Sequence, residues 1–177
     1  YALLLTVYVD FLHHYSGQQD ILVRFPTTGR NRPEFMNIIG YFVSPVMIRA
    51  DLHDNPSFDQ LLAQIKTRLL SALDHQDYPL IHLIERLKPL HDAGGPTLYQ
   101  TNFAFQQSPQ DKQKPDELVL EPIPLVFGAG REPISLGLTE TSTGIKGYLK
   151  GDATLFTPET LARMGEHFQG LLEGVVN

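Results

Sequence analysis

Residues 40–79, GYFVSPVMIRADLHDNPSFDQLLAQIKTRLLSALDHQDYP, contain one strand, one turn and one helix in succession. Gly40 to Leu52 is rich in β-branched and aromatic side chains, which predicts a strand; Pro45 lacks a ladder donor and places that strand at a sheet edge or a bulge. Ser57 and Gln60 then stand three apart. In that spacing each side chain can satisfy a backbone N–H that the first helical turn leaves without a partner. Behind this capping box, Phe58, Leu61, Leu62, Ile65, Leu69 and Leu73 fall on one helical face. Asp77-Tyr-Pro79 ends the helix, and Pro79 opens a shorter one that turns Leu80, Leu83, Ile84 and Leu87 inward.

The same alternation extends outward in both directions. Ala2 to Leu12 is apolar nearly all round, which predicts a buried helix that Gly17 stops. Asp20 to Phe25 is a short apolar run, a second strand, and residues 26–38 form a polar loop with two prolines and one glycine. Residues 89–97 are a turn-rich connector. Leu98 to Phe105 reads as a strand, residues 106–116 as a polar loop, and Leu118–Leu120 and Pro124–Phe127 as short strands. Ile134, Leu136 and Leu138 alternate, and Gly144 turns the chain back into Ile145–Leu149 as a hairpin. Thr157 caps a last helix with Pro158 in its first turn and Leu161, Met164, Phe168, Leu171, Leu172 and Val175 facing inward. The fold class is α/β (α+β), a mixed β-sheet flanked by about four helices.

The 177 residues suit a single domain. There is no Cys, which excludes disulfides, thiolate metal sites and a cysteine nucleophile. A net charge of -6 argues against nucleic acid and anionic membrane as partners. No apolar run reaches the roughly 18 residues that span a bilayer. The start at Tyr1 has neither a basic region nor a small-residue cleavage site, so no signal peptide is read, and the chain is expected to begin mid-protein.

Few residues offer chemistry. His13 and His14 are adjacent on a helix and so point about 100° apart; they cannot face one substrate or chelate one metal together. No metal site is expected. His75 and Asp77 read as a helix terminus and an interhelix corner, since an oriented base also needs a nucleophile placed beside it. Phe127–Arg131 has two glycines of a phosphate loop but lacks the third and the following helix. His91-Asp92 and the pair Asp152 and Glu159 show no spacing that demands catalysis. The residues themselves supply no complete catalytic set.

Their order, however, resembles a known family. Tyr15-Ser-Gly-Gln-Gln-Asp-Ile-Leu-Val23, Pro26-Thr-Thr-Gly-Arg30 and Ile39-Gly-Tyr-Phe-Val-Ser-Pro-Val-Met-Ile-Arg49 are similar to segments of the condensation domains of nonribosomal peptide synthetases. The third resembles that family's I-G-x-F-V-N-T-x-x-x-R. His75-Gln-Asp-Tyr-Pro79 matches H-Q-D-Y-P-F-E, and Asp92 and Leu98 sit as in R-D-x-S-R-N-P-L. Leu98–Phe103, Ile134-Ser-Leu136 and Leu155–Leu161 resemble the strands and helix that follow.

The resemblance implies a half-domain of the chloramphenicol acetyltransferase-like fold, a single C-terminal lobe over residues 1–177. The family joins an acyl or peptidyl thioester to an aminoacyl thioester, both carried on phosphopantetheine arms of carrier proteins. Its catalytic signature, H-H-x-x-x-D-G, belongs to an N-terminal lobe and is absent here, because Tyr-Ser-Gly-Gln-Gln follows His13-His14. No catalytic residue is therefore assigned, and the chain alone is expected to be inactive. Arg30 matches the arginine expected to pair with the signature's Asp. Tyr41 and Ser44 are expected on opposite sides of one strand that borders the substrate tunnel, so that only one of them lines it, with Ser44 where the family has Asn. His75, Gln76, Asp77 and Asp92 are expected to be structural. The implied partners are the N-terminal lobe, peptidyl carrier proteins and an adenylation domain, in the cytoplasm. Pro45 in place of Thr suggests a hybrid polyketide system. The alternatives are a heterocyclising, epimerising or ester-forming relative, or a docking module without catalysis. Exposed apolar surface at residues 26–49 favours the lobe; a wholly polar one favours the independent module.

Overall fold

A computed structural model describes residues 1–87, 99–107 and 132–176. Its elements are α1 (Ala2–Ser16), β1 (Asp20–Thr27), a 3₁₀ turn (Pro33–Phe35), β2 (Ser44–Asp51), α2 (Phe58–Asp74), α3 (Leu80–Leu87), β3 (Thr101–Gln107), β4 (Ile134–Thr141), β5 (Gly144–Gly151) and α4 (Pro158–Val176). The strands form one mixed sheet in the order β2-β1-β3-β4-β5. The two outer pairs are antiparallel and the two inner pairs parallel.

Strand alternation divides the sheet into two faces. Ile21, Val23, Phe25, Ile48, Ala50, Phe103, Ile134, Leu136 and Leu138 point one way and are buried with side chains of α1, α2 and α4. Helix α1 lies between the other two helices and contacts both. That position accounts for its apolar circumference, since Leu4 to Val9 and Phe11 are all buried. It ends as expected at Gly17, whose φ of 67° is the left-handed geometry glycine adopts freely. Deep in the core, the Tyr8 and Thr101 hydroxyls share a hydrogen bond of 2.6 Å. The opposite face carries a cross-strand row of Met47, Arg24, Asn102, Ser135 and Lys150. Arg24 is paired there with Glu132 at 2.7 Å.

Strand β2 is an edge strand, as Pro45 predicted, and Pro45 lies opposite Pro26 near the end of the ladder. The pairing of β1 with β3 covers only Val23 and Arg24, so Pro26 withholds no donor that β3 needs. Side chains from α2 close part of the outer edge. Gln64 accepts from the Asp51 N–H and donates to its carbonyl, and Arg68, one turn later, donates to the Arg49 carbonyl.

The capping box is complete, with Ser57 N–H to Gln60 Oε1 at 2.8 Å and Gln60 N–H to Ser57 Oγ at 3.4 Å. Thr157 accepts from the Thr160 N–H at 3.3 Å and starts α4. The hairpin joins Thr141 to Gly144. The strand expected from Gly40 begins only at Ser44, and a 3₁₀ turn interrupts the expected loop. The strands expected at 118–120 and 124–127 lie outside the described residues.

Candidate functional site

Strand β1 delivers Arg30 to a loop that folds over itself before β2 begins. Arg30 donates from Nη1 to the Phe35 carbonyl and from Nη2 to the Gly40 carbonyl at 3.3 Å. Its guanidinium lies 4.3 Å from the centre of the Phe42 ring. The Phe42 ring in turn stands 5.4 Å from that of Phe35, over which Arg32 sits at 5.8 Å. Two arginines thus bracket two aromatic rings, and cation–π attraction adds to the hydrogen bonds that shape the loop. The planar guanidinium carries five N–H donors, so Arg30 can hold both carbonyls and still present donors to a carboxylate.

The corner after α2 meets this loop. His75 caps the helix C-terminus and donates from Nδ1 to the Ser71 carbonyl at 2.8 Å. Gln76 accepts at its carbonyl from the Ser44 hydroxyl at 3.2 Å. Asp77 accepts from the Asn31 side-chain amide at 2.8 Å. Arg30, Ser44, Gln76 and Asp77 therefore come together around one turn and one loop, while His75 is engaged with its own helix. Tyr41 lies before β2 and is 89% exposed. The expected division of Tyr41 and Ser44 between the two faces of one strand does not hold, because alternation cannot govern a residue outside the strand. Asp92 lies outside the described residues, as does the glycine stretch 127–131.

Asn31 and Phe35 join the site without having stood out in the sequence, and Phe42, which matches the Phe of I-G-x-F-V, joins it without having been given a role. Asn31 is separated from Asp77 by 46 positions, a spacing without a local signature. Gly29 ahead of Arg30 was the available cue. Its φ of 62° is left-handed, and a Cβ there would fall 1.8 Å from the Phe42 carbonyl oxygen.

The surface of this loop is apolar. Met36, Ile38, Ile39, Tyr41 and Val43 are all exposed, and Ile39 is 101% exposed. Isolated apolar residues on a surface need no account, but five within eight positions do. Among the described residues no cluster of three or more His, Asp or Glu side chains is arranged to hold a metal. His13 and His14 each donate from Nδ1 to a backbone carbonyl, that of Gln18 at 2.7 Å and that of Asp10 at 2.8 Å, and serve the end of α1. The carboxylates held below their ordinary range are structural. Asp20 is lowered by its hydrogen bonds from Arg49, Asp51 by those from His53, and Asp152 by the Thr154 N–H and hydroxyl. Glu159 is lowered too, at the start of α4. A cavity of about 310 Å³, lined by Leu12, Tyr15, Ile21, Thr101, Phe156 and Met164 among others, lies toward the start of β1 and shares no residue with the loop and corner.

The family model for the condensation domain matches residues 1–177. The chain belongs to the condensation-domain family. Such domains form peptide bonds in nonribosomal peptide synthetases, and the mixed sheet with its helices has their chloramphenicol acetyltransferase-like arrangement. Tyrocidine synthase 2 from Brevibacillus parabrevis is 34% identical over 177 residues, 99% of this chain and 5% of that synthase. The chain thus spans only a small part of the length of the curated relatives it matches. A four-domain nonribosomal peptide synthetase, solved with AMP and glycine bound, superimposes with a TM-score of 0.87 at 23% identity, over 99% of this chain and 14% of that one. The starter condensation domain of the rhizomide synthetase gives 0.73 at 18% identity, over 99% of this chain and 41% of that one. The two structural likenesses establish the fold. Among the described residues no helix is long and apolar enough to cross a membrane.

Proposed function

We propose that the chain is the C-terminal lobe of a condensation domain, and that with an N-terminal lobe it forms an amide between two carrier-bound thioesters. The observation that carries this reading is the exposed apolar run Met36–Val43 beside Arg30. An independent docking module has no reason to keep Ile39 in water, whereas a lobe covers it with the rest of its domain. Coverage points the same way, since the chain spans 41% of a solved starter condensation domain.

In this reading Arg30 presents its remaining N–H groups to the Asp of the H-H-x-x-x-D-G loop, and a bidentate pair fixes that loop's shape. Tyr41 and Ser44 border the tunnel at its C-terminal wall. The two phosphopantetheine arms enter from carrier proteins, and an adenylation domain loads the acceptor. Holding both thioesters in reacting geometry supplies much of the rate, and the other lobe's histidine assists attack by the amine.

The test is a condensation assay with two loaded carrier proteins, run on the purified 177 residues and on the intact synthetase module that carries them. Product from the intact module and none from the chain alone is the expected result. Dipeptidyl product from the chain alone would overturn it.

A further inference from the structure

The loop from Arg30 to Ser44 is tied at both ends to the same turn. At its start, Asn31 donates to the Asp77 carboxylate at 2.8 Å; at its end, Ser44 donates to the Gln76 carbonyl at 3.2 Å. The turn is itself pinned: Gln76 N–H bonds the Leu73 carbonyl at 3.2 Å and Tyr78 N–H bonds that of His75 at 3.0 Å. Between its anchors the loop has little regular structure, three residues of 3₁₀ turn and the Arg30 contacts to Phe35, Gly40 and Phe42. Its ends therefore decide where Arg30 and the apolar run stand relative to the sheet.

We infer that Asn31 and Asp77 are positioning residues for condensation. Their hydrogen bond fixes the backbone beside Arg30, and through it the placing of Arg30 and the 36–43 surface against the rest of the domain. This rests on the reading of the chain as one lobe of a condensation domain. Neither side chain touches a substrate; each acts by holding Arg30 in register. A displacement of about 1 Å in such a support costs up to about a hundredfold in rate.

A charge swap in the intact synthetase module tests it, with dipeptide formation followed over a range of concentrations of loaded acceptor carrier up to saturation. Asn31→Asp sets two carboxylates against each other and is expected to lower kcat at least about tenfold, with KM for the acceptor carrier within about twofold. Adding Asp77→Asn restores a donor and an acceptor in reversed order, and most of kcat is expected to return. Loss without recovery in a protein whose melting temperature matches wild type overturns the inference, as does an Asn31→Asp enzyme with normal kcat. If Asn31→Asp does not fold, Asn31→Ala removes the donor without adding charge and must show the same fall in kcat; a normal kcat there also overturns it. An inactive wild-type module instead overturns the condensation reading beneath it.

Discussion

Gly29 and Phe42 meet backbone to backbone: the Phe42 carbonyl oxygen occupies the space where any Cβ on residue 29 would lie, 1.8 Å away. Two demands coincide at Gly29, a φ of 62° and this close approach, and only glycine meets both. Gly29→Ala is therefore expected to cost about 2 kcal/mol of stability in chemical denaturation, or to push the Phe42 segment aside with loss of the Arg30–Phe42 stacking. Proton chemical shifts of the Phe42 ring report which occurs, and a variant with wild-type stability and unchanged ring shifts contradicts the contact.

The buried Tyr8–Thr101 hydrogen bond gives a second prediction. Burial pushes the Tyr8 hydroxyl well above its ordinary range, partly offset by its bond to Thr101, so it stays neutral at any ordinary pH. Tyr8→Phe and Thr101→Val each leave one hydroxyl in the core without its partner and are expected to destabilise by about 1–3 kcal/mol. The double variant removes both polar groups, and its cost should be clearly less than the sum of the two. Additive losses in a double-mutant cycle would show that the hydroxyls do not interact.

What the sequence revealed follows the range of each signal. Ser57 with Gln60, Thr157 with Pro158, and Gly144 act within one turn of chain, and the cap, helix start and hairpin they predict are all present. The strand start failed for a physical reason: Gly40–Val43 has strand-like side chains, but Arg30 claims the Gly40 carbonyl and Gly29 claims contact with Phe42. A three-residue 3₁₀ turn such as Pro33–Phe35 is too short to show periodicity. At the site, Arg30, Ser44, Gln76 and Asp77 were legible as motif residues. Their contacts were not, because Asn31–Asp77 and Ser44–Gln76 join positions 46 and 32 apart.

The pair between β1 and β2 sets an acid limit. Arg49 grips Asp20 with Nε and Nη2, both at 2.8 Å, and these bonds hold the Asp20 carboxyl below its ordinary value. A carboxyl lowered in the folded state stabilises above its unfolded pKa and loses that contribution as pH falls through the folded one. Stability is therefore expected to decline below about pH 4, the ordinary carboxylate range. Asp20→Asn should flatten that decline and, the pair being exposed, cost less than about 1 kcal/mol at pH 7. Urea midpoints for both proteins from about pH 2.5 to 7 check it; parallel profiles would exclude Asp20 as a contributor.

Ile39 and Tyr41 separate stability from assembly. Both side chains stand in solvent, so Ile39→Ser and Tyr41→Ser remove little buried area from the chain itself. Their effect on its unfolding free energy is expected to stay within about 0.5 kcal/mol. If the rest of a condensation domain covers this surface, the same substitutions uncover no cost in the isolated chain but lose buried contact in the intact module. There the melting temperature should fall by several degrees and condensation should weaken, the double variant more than either single one. The isolated chain should also become less prone to self-association, because the largest apolar exposure on the loop has been replaced by hydroxyls. Sedimentation of the chain and thermal melting of the module read the two effects separately. Equal melting of wild-type and doubly substituted modules would mean that this surface remains in water in the assembled protein, and would remove the principal support for treating the chain as one lobe of a larger domain.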